Sequence, residues 1–199
     1  MVTIYIDFDN TIVESNQKII EILNKKYNTS KTEEDLKDYN YNSIVDITEK
    51  EKNEIFESDE FFKNLSFKKG FLDFFNDNKD DYKIIIVSKG SALNLDKKEE
   101  WLQEHLSGRF EFIGIQDLYT SKSIVDMADS IQIDDCTKEL NTNAQIKILY
   151  KSSNNFPWQQ DYENTSILIA NTWEEISDVV SFYSKYDYKS LEGFTKCRK

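Results

Sequence analysis

Two aspartates stand one residue apart near the start of the chain, in Ile4-Tyr5-Ile6-Asp7-Phe8-Asp9-Asn10-Thr11-Ile12. The apolar run before them predicts a strand. Side chains at i and i+2 of a strand share a face, so Asp7 and Asp9 are expected to project together from its carboxyl end. Two carboxylates held side by side repel unless a cation or a shared proton lies between them. Burying them without such a partner is costly. The pair suits Mg²⁺-assisted phosphoryl chemistry, with one aspartate as nucleophile.

Three further polar clusters follow apolar runs. Ser88 ends the run 84–87 and is followed by Lys89, Gly90 and Ser91. Lys122 is expected to open a helix before the fourth strand. Asp134 and Asp135 end that strand, and a helix is expected near Thr137. Mg²⁺ prefers oxygen ligands and takes one or two carboxylates, completing its shell with water and phosphate oxygens. A lysine is a point charge for phosphate, and a serine hydroxyl can donate to it. If one sheet edge gathers all four clusters, the result is a site for a metal and a phosphate.

The elements needed for that are legible. Strand-like runs occur at 2–7, 82–87, 110–115, 130–134, 146–150 and 166–170. Most are near-continuous in apolar residues, as strands covered on both faces are. Helical patterns separate the later ones. Asp96-Lys97-Lys98-Glu99 has the form of a capping box ahead of Trp101 and Leu102, and Thr172 starts another helix through Ile176 and Val180. Strands alternating with helices predict an α/β, Rossmann-like three-layer core on a parallel sheet, with its ligand site at the carboxyl ends of the strands. Between the first two strands the pattern is helical instead. Ile19, Ile20, Leu23 and Tyr27 share a face, and Thr48-Glu49-Lys50-Glu51 reads as a capping box. The expected organisation is a core of residues 1–14 and 69–184, a helical cap of residues 15–68 inserted after the first strand, a crossover helix at 70–78 within the core, and a C-terminal tail of 185–199.

Composition narrows the function classes. The 199 residues suffice for one domain with a real core, and 39% hydrophobic content argues against disorder. A net charge of −12 argues against non-specific binding to duplex nucleic acid or an anionic membrane. It also requires a phosphate-handling site to supply its own cations. Cys136 and Cys197 make no disulfide framework, and neither a signal peptide nor a membrane-length apolar run is expected. A cytoplasmic protein is expected, and a homodimer is an allowed assembly.

The motif order D-x-D-x-T, Ser, Lys, D-D resembles the haloacid dehalogenase (HAD) superfamily of phosphotransferases, and the helical insertion resembles its cap. Within it the chain looks most like the 5'(3')-deoxyribonucleotidases, from about residue 2 to 177. The supporting stretches are Glu57-Ser58-Asp59-Glu60-Phe61-Phe62, Lys98-Glu99-Glu100-Trp101, Ile133-Asp134-Asp135, and Asn171 through Ile176. This resemblance implies a nucleoside monophosphate substrate and Mg²⁺. It implies Asp7 as nucleophile and Asp9 as acid and base. The metal would be held by Asp7, the Asp9 carbonyl, and Asp134 or Asp135. Thr11, the threonine of the first motif, is assigned to the substrate side. Ser88, Lys98 and Lys122 would hold the phosphate. Phe61 and Phe62 would stack on the base, with Tyr39 and Tyr41 as weaker candidates. The chain departs from the family in three places: Asn10-Thr11 where it has Gly-Val, Lys89-Gly90 after Ser88 where it has Ser-Pro, and Cys136 where it often has Arg. Lys89 is taken as a replacement phosphate contact.

Three alternatives stay open. One is a HAD phosphatase acting on a sugar phosphate or another small phosphomonoester. Another is a non-catalytic nucleotide-binding protein, against which intact Asp7 and Asp9 argue. The third is a receiver-like phosphoacceptor domain; there the phosphorylated Asp ends a middle strand, whereas here the middle strand is expected to end at Ser88, and the cap has no counterpart.

Overall fold

In the computed structural model, residues 1–116, 119–151, 156–160 and 166–185 are described. Six strands, β1 (Thr3–Asp7), β2 (Lys83–Lys89), β3 (Glu111–Ile115), β4 (Ser130–Asp134), β5 (Ile146–Tyr150) and β6 (Ile167–Ala170), form one sheet in the order β3-β2-β1-β4-β5-β6. Every pairing is parallel. Each lies within about two residues of its expected bounds. The near-continuous apolar runs have the expected cause: β4 is buried at all five positions, and β2 is buried from Ile84 to Ser88.

The order of strands places β1 and β4 side by side at the centre, with Ile6 opposite Ile133. The chain moves outward from β1 through β2 to β3, then returns to β4 and moves out the other way. This is the topological switch point, where parallel sheets leave a crevice beyond the strand ends. It corrects one expectation. The central strand that carries an acid at its end is β1, ending at Asp7, and Ser88 lies on its neighbour β2. Strand position therefore does not separate the fold from a receiver domain; the helical segment after β1 does.

That segment holds α1 (Ser15–Tyr27), α2 (Glu49–Phe56) and α3 (Asp59–Phe62). The Thr48 capping box forms as expected: Thr48 Oγ1 accepts from the Glu51 N–H at 3.2 Å, and the Glu51 carboxylate accepts from the Thr48 N–H at 3.0 Å. The chain enters and leaves the segment through a short stem. Glu14 N–H donates to Ser66 O (3.0 Å), Lys68 N–H donates to Ile12 O (2.7 Å), and buried Lys68 is ion-paired with Glu14. The crossover helix α4 (Phe71–Asn78) follows.

After β2 comes α5 (Ala92–His105), and α6 (Trp173–Lys185) follows β6. The start of α5 corrects the sequence reading. Ser91, not Asp96, is the N-cap, with its Oγ accepting from Asn94 N–H at 3.3 Å. Asp96 and Lys97 are interior residues whose polar run imitates a cap. Lys122 opens only a 3₁₀ turn, Lys122–Ile124, and Thr137–Leu140 is likewise a 3₁₀ turn in place of the expected helix. The expected tail lies, beyond Lys185, outside the described residues. None of the described helices is long and apolar enough to cross a membrane.

Trp173 anchors the far side of the core. It is almost fully buried, packs against Phe71, Phe74 and Tyr150 (ring centroids 5.0, 4.8 and 5.9 Å), and donates its indole N–H to Thr11 O at 3.2 Å. It thereby fastens α6 to the first motif. Gly70 stands against it: a Cβ there would lie 3.2 Å from Trp173 Cβ, and φ of +87° favours glycine besides. Trp173→Ala should cost roughly 3–5 kcal/mol of unfolding free energy, read as a lower urea midpoint at unchanged m-value.

Candidate active site

β1 ends at Asp7, and the chain turns back immediately. Asn10 is left-handed (φ 58°), and the Phe8 carbonyl accepts from the N–H groups of Ile12 (3.1 Å) and Val13 (3.2 Å). Asp9 therefore lies in the turn and not on the strand. Strand alternation does not align the two acids as the sequence predicted. Each finds its own lysine: Lys122 Nζ donates to Asp7 Oδ1, and Lys98 Nζ donates to Asp9 Oδ2. The other Asp9 oxygen accepts from Ser15 Oγ at 2.7 Å, at the first residue of α1.

Lys98 is buried at the first turns of α5. Its ammonium also donates to Ser88 Oγ (3.0 Å) and Lys89 O (3.2 Å) and lies 5.2 Å from the centroid of the Phe8 ring. Lys122, equally buried, donates to Asp134 Oδ2 at 2.6 Å as well as to Asp7. Its backbone N–H donates to Glu139 Oε2 (2.8 Å), while Glu139 Oε1 accepts from Lys89 Nζ (2.9 Å). Lys89 thus lies at the site with its charge paired to Glu139. Asp134 Oδ1 accepts from Cys136 N–H (2.9 Å), and Asp135 Oδ2 accepts from the Trp158 indole N–H (3.0 Å).

Asp7, Asp134 and Asp135 each offer a carboxylate oxygen within 4.8 Å of the others, and all three are buried. Three acids meet one lysine there. Burial pushes the Asp7 carboxyl up to about 7 against the pull of Lys122, with Asp134 and Asp9 adding to the rise. Asp134 is raised by burial, again against Lys122. Asp135 is raised well above the carboxylate range by burial and then by Asp7 and Asp134. Burial disfavours the charge on Lys122, but Asp134 and Asp7 outweigh it and raise its pKa. An all-oxygen, charge-rich, buried set of this kind fits a hard divalent cation, which reverses the shifts of the acids around it. Cys136 does not fit such a role: burial, then Asp134 and Asp135, push its thiol up to about 12, so it stays neutral.

Next to Asp9 opens a cavity of about 240 Å³. Asp9, Asn10, Lys89, Ser91, Asn94 and Lys98 line one side; Tyr39, Tyr41, Lys52, Asn53 and Phe56 of the helical segment line the other. The two sides are tied together. Asn94 Nδ2 donates to Phe56 O (2.7 Å), Ser91 Oγ donates to Glu57, and Lys97 Nζ donates to Glu57 O (2.8 Å). The aromatic expectation needs correcting here. Phe61 is fully buried, packed between Phe56 and Phe62 (centroids 5.2 and 5.0 Å) in the interior of the helical segment. The cavity wall takes its rings from Phe56, Tyr39 and Tyr41 and not from Phe61 or Phe62. Thr11 is also buried, with an Oγ1 that meets no hydrogen-bond partner among the described residues.

Sequence reasoning missed Ser15, Glu139 and Trp158. Ser15 opens a helix six residues from Asp9 and could have been suspected. Nothing local marks the other two, which reach the site only through the fold.

The family model for 5' nucleotidase, deoxy (pyrimidine), cytosolic type C protein (NT5C) matches residues 1–186. The chain belongs to this family. Similar solved structures carry the HAD fold. A haloacid dehalogenase-like family hydrolase from Streptococcus pneumoniae superposes with TM-score 0.61 at 14% identity, over 92% of this chain and 98% of that one. A HAD-superfamily hydrolase of subfamily IA from Geobacter sulfurreducens gives 0.54 at 10%, over 90% and 96%. YfnB from Bacillus subtilis, bound to magnesium, gives 0.52 at 12%, over 90% and 98%. No curated protein sequence matches. The chain is a phosphatase of the HAD type, its acid cluster placed at the sheet's switch point.

The raised carboxyls set a pH dependence. A carboxyl whose folded pKa exceeds its unfolded value, about 3.9 for Asp, holds its proton more tightly when folded. Its contribution to stability is full below the unfolded value and is lost as pH rises through the folded one. In EDTA the protein should therefore lose stability between about pH 4 and pH 7 as Asp7 ionises. Added Mg²⁺ should raise the melting temperature more at pH 7.5 than at pH 5, as thermal scans at the two pH values would show.

Proposed function

We propose that the chain is a Mg²⁺-dependent 5'(3')-deoxyribonucleotidase that hydrolyses deoxyribonucleoside monophosphates through an aspartyl-phosphate on Asp7. The observation that carries this reading is the buried Asp7–Asp134–Asp135 cluster together with the adjoining cavity at Asp9, whose lining combines Lys89 and Lys98 for a phosphate with the rings of Tyr39, Tyr41 and Phe56 for a base. Mg²⁺, held by Asp7, the Asp9 carbonyl and the Asp134–Asp135 pair, would supply charge neutralisation at the phosphoryl oxygens.

The residues divide the work. Asp7 attacks phosphorus as its carboxylate; the bond to the sugar oxygen breaks and Asp9 delivers a proton to that oxygen. Asp9 then takes a proton from water, which attacks the aspartyl-phosphate, releases inorganic phosphate and restores Asp7. Lys98, anchored on Ser88, and Lys122 hold the phosphoryl oxygens as fixed charges, with Lys89 at the cavity rim. In this reading residues 15–68 act as a cap on a core of 1–14 and 69–184. The stem at Glu14–Ser66 and the contacts of Glu57 with α5 keep the cap over the site, where it excludes water.

Asp7→Asn should lower kcat roughly 10³-fold or more with the fold retained, since it removes the nucleophile at constant volume. Wild-type turnover in that variant would refute the mechanism. A phosphate-release panel of dUMP and dTMP against hexose phosphates and p-nitrophenyl phosphate decides the substrate, and faster turnover of the hexose phosphates would favour the sugar-phosphate reading. The two aromatic sets separate by kinetics: Phe56→Ala should raise KM for a nucleotide several-fold and spare turnover of p-nitrophenyl phosphate. Phe61→Ala should act chiefly by lowering stability, by about 3–5 kcal/mol.

A further inference from the structure

Asp135 is the acid of the cluster that receives no hydrogen bond from Lys122. Asp7 and Asp134 each accept one from the Lys122 ammonium, and the second Asp134 oxygen is held by the Cys136 N–H. Asp135, as buried as its neighbours, has the Trp158 indole N–H on Oδ2 at 3.0 Å. Trp158 lies 23 residues further along, on the 3₁₀ turn Pro157–Gln159. Its ring is fixed on two sides. It stacks parallel on buried Phe156 (centroids 4.5 Å, planes 3° apart), and the edge contact with Tyr39 of the cavity wall stands at 5.5 Å and 89°. Pro157 at the start of the turn and the Gln159 N–H bond to Phe156 O (3.0 Å) hold the backbone that carries it.

The chemistry of the donor matters more than its presence. A lysine at this position would orient Asp135 but also neutralise it, and so remove the reason for a cation to bind. An indole is a neutral donor. It fixes the rotation of the carboxylate and leaves its charge for a metal. Groups that hydrogen-bond to a metal's ligands orient those ligands in this way.

We propose that Trp158 is a positioning residue of the metal centre: its indole N–H holds the Asp135 carboxylate in the orientation that binds the divalent cation beside Asp7 and Asp134. The inference rests on the reading of the cluster as a divalent-cation site.

Trp158→Phe keeps a ring to stack on Phe156 and deletes only the donor. With Mn²⁺ as probe and no substrate present, electron paramagnetic resonance should show its Kd rising about 10- to 100-fold in W158F. In an Asp135→Asn background the same substitution should change the Kd no further, because its effect passes through Asp135. A measurement on the wild-type protein does not depend on whether the variant folds. In ¹H–¹⁵N spectra the indole signal of Trp158 should shift during Mg²⁺ titration with the midpoint of metal binding. Wild-type Mn²⁺ affinity in W158F, an equal loss in the Asp135→Asn background, or indole signals indifferent to Mg²⁺ would each overturn the inference while leaving the cation site intact. A wild-type protein that binds neither ion would overturn the site and the inference together.

Discussion

Three buried carboxylates share a single ammonium at the carboxyl ends of β1 and β4, and most of the structure serves to make that arrangement tolerable. Removing a charge from water costs several kcal/mol per ion even after relaxation. Lys122 compensates Asp7 and Asp134 directly, and no described lysine hydrogen-bonds Asp135. Such an excess of negative charge persists only if the scaffold around it is stiff. Here the scaffold is the centre of a six-stranded sheet, with β4 buried on both faces and Ile6 set against Ile133.

The same constraint explains how an acidic chain handles an anion. Its exposed lysines are screened by solvent and by its own carboxylates, whereas Lys98 and Lys122 are almost wholly enclosed. Each is committed to a different aspartate, and that separation gives the two acids different surroundings. Asp7 lies inside the cluster of acids, where burial dominates. Asp9 lies in the turn against Ser15 and Lys98 at the cavity wall. The early end of β1 at Asp7 thus gives two neighbouring carboxylates unlike environments, the condition that pushes the protonation behaviour of paired acids apart.

The strands and their order of chemistry were legible in the sequence because both depend on local pattern. Apolar runs in a parallel sheet announce themselves, and Asp7, Ser88, Lys122 and Asp134 each stand at the end of one or just before one. The departures have physical causes. Asp96-Lys97-Lys98-Glu99 carries the composition of a cap, but Ser91, the residue after Gly90, reaches an N–H three residues on and starts the helix earlier. Phe61 and Phe56 are alike in type; which one faces the cavity depends on how α2 and α3 pack, and no periodicity in so short a pair of helices reports that. Trp158 and Glu139 touch the site across 23 and 17 residues of chain. Contacts of that range are products of topology, and a single sequence carries no local trace of them.

The partners of the cluster differ in kind, and the difference bears on how it works. Where a cation is the donor, as Lys122 is to Asp7 and Asp134, the acid is both oriented and partly neutralised. Where the donor is neutral, as the Cys136 N–H and the Trp158 indole are, the acid is oriented and its charge is kept. A site built wholly of lysine–carboxylate pairs would be stable without metal and would compete with it. One built wholly of neutral donors would be too strained to fold before metal arrived. The mixture leaves Asp134 and Asp135 adjacent in sequence yet unequal in charge compensation, so that the second of the pair is the acid with most to gain from a nearby positive charge.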